Sequence, residues 1–259
     1  MAIAFRNAQG SNNAGGGTSI VMTMPTSPSV SDGDILLMVV NADYIPTTIG
    51  TPSGWTVLNN VTDGNTNTLR QAIFWRVASS EPASYTVSLS PTAKASGGIL
   101  ALSGASTTQP TSSAYGAQGG GSSSNVIAPA LGSWASSNGI DVSLSGIHTG
   151  TTFTPPTNYT EGSDSAGSGG GASSRTTSET AYRSLTAITT VGSITAVAGG
   201  TAQGIGAHVF IFEAVAAETI TPDKWVPDTE VPLFEKIGVV SYFRRFKQHK
   251  GFLIPSYDT

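Results

Sequence analysis

An internal repeat limits this chain more than any other feature. Within the first 214 residues, Ser19–Ile35 aligns with Ser124–Ile140 at an offset of 105. The block Pro52-Ser-Gly-Trp-Thr56 aligns with Pro156-Thr-Asn-Tyr-Thr160 at 104, and Trp75-Arg76 with Tyr182-Arg183 at 107. Ser84–Ala105 then aligns with Ser193–Ala214 at 109 without a gap. Four blocks in one order, at nearly constant spacing, describe one unit used twice, over about 18–105 and 123–214. The period is too long for a solenoid, whose units run to about 20–50 residues. The fold must therefore accommodate two copies of a sizeable unit.

The content of each copy points to strands. Ile35–Val40 is a continuous apolar run suited to a strand buried on both faces. Trp55–Leu58, Arg70–Val77, Tyr85–Leu89 and Gly97–Leu102 follow, with Asp63-Gly64-Asn65 as a turn between two of them. The second copy offers Ile140–Ile147, Tyr159-Thr160, Ser178–Thr186, Ile194–Val197 and His208–Phe212. Ser (34), Thr (33) and Gly (31) dominate while only 11% of residues are charged, which excludes a coiled coil. With no cysteine there is no disulfide scaffold. A hydrophobic share of 38% at net charge −4 argues against a disordered chain. The expectation is an all-β, jelly-roll-like β-sandwich over residues 1–214, closed from two repeated halves of roughly four strands each. Ala105–Ser124 is expected to link the copies, and the glycine- and serine-rich stretch within Glu161–Thr180 to be a mobile loop.

Charge divides the chain differently. Residues 215–259 hold 12 of the 28 charged side chains. Pro222, Pro227 and Pro232 recur there and deprive any ladder of donors, so 215–232 is expected to be an extended connector. Beyond it lies a segment rich in aromatics and arginine, the residue types that dominate protein–protein hot spots. Residues 215–259 are accordingly expected to form a C-terminal docking arm. Its contact residues would be Trp225, Phe234, Tyr242, Phe243, Arg244, Arg245, Phe246, Phe252 and Tyr257. Net charge −4 gives no electrostatic reason to expect nucleic acid as a partner. The longest clean apolar run is six residues, far short of a membrane span, and the N-terminus carries no visible signal peptide.

Motifs for chemistry are sparse. The three histidines, His148, His208 and His249, share no metal-ligand spacing with one another. No G-x-S-x-G is present for a serine nucleophile. Gly167–Ala172 fits a dinucleotide fingerprint only formally, without a following helix pattern. Asp32-Gly-Asp34 and Asp63-Gly-Asn65 lack the glycine and distal glutamate of a calcium loop. The reading is a non-enzyme with no catalytic residue, cofactor or metal. Trp55 is a candidate ligand-stacking ring, weighed against a place in the core.

Several of these runs carry a family resemblance. Asp32-Gly-Asp-Ile-Leu-Leu37, Pro52-Ser-Gly-Trp-Thr56, Phe74-Trp-Arg-Val-Ala-Ser-Ser-Glu-Pro82, Tyr85-Thr-Val-Ser88 and Gly97–Ala105 form a pattern that resembles structural proteins of tailed bacteriophages. Those proteins are jelly-roll or related sandwich modules of virion surfaces, fibres and tails. The resemblance spans about 18–214 and leaves the arm outside. It implies a virion component, assembled in the host cytoplasm: a capsid decoration, fibre or tail accessory protein, homo-oligomeric, in contact with other virion proteins. The alternative is an adhesin module that recognises a receptor or host-surface glycan.

Overall fold

The computed structural model describes residues 2–13, 15–43, 47–63, 68–167 and 175–215, with the backbone alone of 233–237, 240–249 and 252–256. The chain divides into two compact units, Met1–Val215 and Ala216–Thr259. In the first unit, β1 (Ala4–Asn12), β2 (Gly17–Thr23), β3 (Ile35–Asp43), β4 (Thr48–Ile49), β5 (Thr56–Thr62), β6 (Leu69–Val77), β7 (Ser84–Ala93) and β8 (Ala95–Ser103) form the first half. The second half contains β9 (Tyr115–Ala128), β10 (Leu131–Ile147), β11 (Phe153–Thr154), β12 (Thr160–Ala166), β13 (Thr177–Val191) and β14 (Ile194–Phe212).

The first half makes a five-stranded sheet, β1-β8-β3-β6-β5, and a three-stranded one, β2-β7-β4. The second makes a single six-stranded sheet, ordered β11-β14-β10-β13-β12, with β9 also on β14. All these pairs are antiparallel. The two halves share more than strand order. Ile35 pairs with Val77 and Leu102; shifting these by 105, 107 and 109 gives Ile140 with Ser184 and Ile211, both of which are observed. The bulge between Val57 and Asn59 recurs between Glu161 and Ser163. Ser80 and Ala187, 107 residues apart, are both non-glycine residues at positive φ, 49° and 52°.

The two multi-stranded sheets pack face to face. Strand alternation sends successive side chains to opposite faces. Ile35, Leu37, Val39, Leu100 and Leu102 of the first half meet Ile140, Val142, Leu144, Val209 and Ile211 of the second in one buried cluster. These are equivalent positions, so the same face of each half meets its counterpart. The contact is reciprocal, as at a two-fold axis. Ser178 is the counterpart of Gln71, and Ser96 of Ile205. Ser178 Oγ lies 2.8 Å from Ser96 Oγ, while Gln71 Nε2 donates to the Ile205 carbonyl at 3.4 Å. Asn41 lies against Gly146, its own counterpart: a Cβ on Gly146 would sit 2.1 Å from Asn41 Oδ1. The side chain of Ser165 on β12 donates to the Ser11 carbonyl of β1 at 2.8 Å. On the other side of the axis β9 crosses β5, where Gly119 approaches the backbone of Thr62 and Asp63.

Three details differ from the sequence reading. Among the described residues the first half has eight strands and the second six, not four each; they include β1 and β9, which pair along β8 and β14 although their own sequences are largely polar. Ala105–Ser124 is thus only partly a link: from Tyr115 onward it is strand. Glu161–Ala166 and Thr177–Thr180 are also strand, while 168–174 lie outside the described residues. The second unit contains β15 (Leu233–Ile237), β16 (Val240–His249) and β17 (Phe252–Ser256), an antiparallel sheet in that order.

Candidate functional site

The proposed docking residues fall in the second unit. Trp225 and Tyr257 lie outside the described residues. Phe234, Tyr242, Phe243, Arg244, Arg245, Phe246 and Phe252 lie on strands whose side chains are likewise outside the description. Their backbone register places Phe234 opposite Phe243 and Leu233 opposite Arg244 on β15–β16. On β16–β17 it places Phe246 opposite Pro255 and His249 opposite Phe252. The connector 216–232 lies outside the described residues.

Trp55 belongs to the interior of the first half. It is 6% exposed in a cluster with Met22, Leu36, Phe74 and Ile99. Its ring meets Tyr85 edge-on, with centroids 5.3 Å apart, and Arg76 lies over it at 5.7 Å. Arg76 is held in turn by Glu81 at 2.9 Å and by the Tyr85 hydroxyl. Burial, followed by the Glu81 carboxylate, pushes the Tyr85 phenol up to about 12. Trp55 is a packed ring here, with little face left open for a ligand to stack on.

The counterpart of this cluster has changed character. Arg183, equivalent to Arg76, lies 4.7 Å over Tyr159, equivalent to Trp55. Its carboxylate partner is now Asp141, 3.6 Å away and fully buried. Asp141 stands where the first half has Leu36, and His208 where it has Ile99. His208 Nδ1 lies 3.1 Å from Asp141 Oδ1, its Nε2 contacts the Pro129 carbonyl, and the Tyr159 hydroxyl donates to Asp141. This cluster ties β10, β13, β14 and the turn before β12 together. His208 and Asp141 are 0% exposed, so the pair is shut off from any solute.

Glu179 continues the polar interior. It replaces Ala72 and is fully buried, with the Ser145 hydroxyl as the polar group beside its carboxylate. Burial, reinforced by Glu161 and Asp164, pushes its carboxyl up to about 8. Glu161 is raised to about 7, mainly by burial and then by Asp164. Asp164 is raised by burial, against a 2.7 Å hydrogen bond from the Phe153 amide. Among the described residues no three His, Cys, Asp or Glu side chains are placed to hold a metal.

At one end of the second half, the ribbon Leu131–Asn138 with Leu185–Val191 extends beyond its counterpart in the first. An open groove of about 610 Å³ lies beside it, lined by Gln109, Thr111, Ser137, Asn138, Phe212 and Glu213 among others. Asn138 braces it: its Oδ1 accepts from the Ala187 amide at 3.0 Å and its Nδ2 donates to Glu213 Oε2 at 3.0 Å. Phe212 packs edge-on against Trp134 and Phe210. The groove draws on four separate segments of chain, so local sequence carries no motif for it. The polar interior, by contrast, could have been found by setting Leu36 and Ile99 beside Asp141 and His208 in the repeat alignment.

No family model, curated protein or solved structure matches the chain. Among the described residues no helix is long and apolar enough to cross a membrane.

Proposed function

We propose that the protein is a structural component of a bacteriophage virion. In this reading it is a surface decoration, fibre or tail accessory protein, present as a homo-oligomer and without a catalytic role. It docks on other virion proteins through residues 215–259. We further propose that the fold is a doubled jelly roll. The order β1-β8-β3-β6 beside β2-β7-β4 is that of eight strands wound as two Greek keys, with β5 carried over to the larger sheet.

One observation carries the reading: the division of the chain into a two-half β body ending at Val215 and a separate unit of different chemistry. The body is polar outside and poor in charge. The second unit is dense in charge and aromatic residues, and three short strands need further packing to be stable in water. A surface of that kind gains by burial against a partner. Deleting 218–259 is expected to leave the first unit folded and to reduce its incorporation into particles to background. Full incorporation of the truncated protein would remove the docking role. Immunogold labelling of intact particles tests the location separately.

A further inference from the structure

We infer that the groove beside β10 and β14 is a binding site for a neutral, hydroxyl-rich ligand, a short oligosaccharide. The inference goes beyond the docking role of the arm and does not depend on it. Its first ground is asymmetry between equivalent halves. The ribbon Leu131–Asn138 stands where the first half has the turn through Thr26–Gly33, and it pairs with a β13 extended to Val191. Only the second half carries this extension, and the groove lies at its base.

The second ground is the chemistry of the lining. Gln109 and Asn138 present amides, Thr111 and Ser137 hydroxyls, and Glu213 a carboxylate. Among the described residues that line it there is no lysine, arginine or histidine to offer an anionic ligand a counter-charge. Glu213 engages Asn138 through Oε2 alone, which leaves Oε1 to accept from a ligand hydroxyl. A carboxylate and an amide side by side match a vicinal diol: the carboxylate accepts from one hydroxyl while the amide donates to the next. Phe212 supplies an apolar surface for the C–H face of a sugar ring, held in place by Trp134 and Phe210. The volume of about 610 Å³ lies within the range of small-molecule sites, roughly 300–1,000 Å³.

Asn138 is the positioning residue. It bonds the Ala187 amide on one wall and Glu213 on the other, fixing the distance between the walls before any ligand arrives. Gln109 is exposed on the rim, so its replacement reports on binding without disturbing packing.

The experiment uses the full chain on an array of neutral oligosaccharides printed beside sialylated and phosphorylated ones. Binding to a subset of the neutral oligosaccharides is expected. The Gln109→Ala, Glu213→Gln double variant is expected to lose at least tenfold in apparent affinity with its circular dichroism unchanged. Asn138→Asp, which keeps the side-chain size but sets a second carboxylate against Glu213, is expected to lose as much. No neutral glycan bound above background, a preference for acidic glycans, or undiminished binding by the double variant would each overturn the site.

Discussion

The two halves of the first unit share strand order and register, yet they are stabilised by opposite means. In the first half, the face turned away from the partner sheet carries Leu36, Met38, Val40, Phe74 and Ile99, all buried and apolar. At the same positions the second half has Asp141, Ser143, Ser145, Ala181 and His208, all buried too. One backbone therefore tolerates an oily filling and a hydrogen-bonded one. The comparison teaches that the cluster at the centre of the shared face is the common requirement, because at Ile35, Leu37, Val39, Leu100, Leu102 and their counterparts both halves remain aliphatic. The copies diverged in the outer interior and at the polar positions around Asn41 and Gly146.

Exchanging the two kinds of filling should break this comparison most severely. Leu36→Asp places a carboxylate among Met22, Phe74 and Ile99, where Trp55 and Ile99 stand in place of Tyr159 and His208, and where Arg76, the counterpart of Arg183, is already paired with Glu81. The expected loss is about 5 kcal/mol, at the extreme of single substitutions, seen as a collapse of the urea midpoint. An unaltered midpoint would mean the first half can import the second half's solution. Asp141→Ala removes the one carboxylate shared by three partners and leaves the buried His208 ring, the Tyr159 hydroxyl and the half-buried Arg183 without their acceptor, at a cost of about 3–5 kcal/mol.

The axis between the halves invites a finer test. Gly146→Ala would press its methyl on Asn41 and is expected to cost about 1–3 kcal/mol by overpacking. Adding Asn41→Ser, which shortens the facing side chain but keeps a hydroxyl for Ser178 and Gln71, should recover part of that loss. A Gly146→Ala midpoint equal to that of the native chain would mean the reciprocal contact is wrong.

The gentlest effect, taken per pH unit, is a pH slope. The Glu179 carboxyl is raised in the fold, so the folded state holds a proton that the unfolded chain gives up near pH 4.5. Its contribution is complete below that pH and is lost as pH rises through about 8; Glu161, raised to about 7, adds in the same direction. Stability should therefore fall between pH 5 and 8, by at most about 1.4 kcal/mol per pH unit from the buried Glu179, with a smaller, solvent-screened share from the exposed Glu161. Glu179→Gln should flatten most of this slope in urea melts taken at several pH values. A slope unchanged by that substitution would place the titration elsewhere.

Much of the scaffold was legible because register is arithmetic. The offsets 105, 107 and 109, read from Ser19–Ile35, Trp75-Arg76 and Ser84–Ala105, are the shifts that carry the first half's central pairs onto the second's. The edge strands were not legible. Tyr115-Gly-Ala-Gln-Gly-Gly-Gly-Ser has almost no β-forming residue, and it is a strand because β14 offers it a long run of backbone partners. The groove escaped notice for a different reason: Gln109, Asn138, Ala187 and Glu213 come together only when the second half closes. Trp55 shows the converse. An aromatic in a Pro-Ser-Gly-Trp turn suits a binding platform, but Arg76 and Tyr85 enclose it.

The meeting of Asn41 with Gly146 has a historical consequence. When two separate copies of one gene product associate through matching faces, every substitution on that face occurs twice, once on each side of the axis. An asparagine there would confront another asparagine in a space that holds one. Joining the copies in a single chain lifts that restriction, so one side can grow as the other shrinks. The same release explains how one half could take up charges in its interior while its twin stayed greasy.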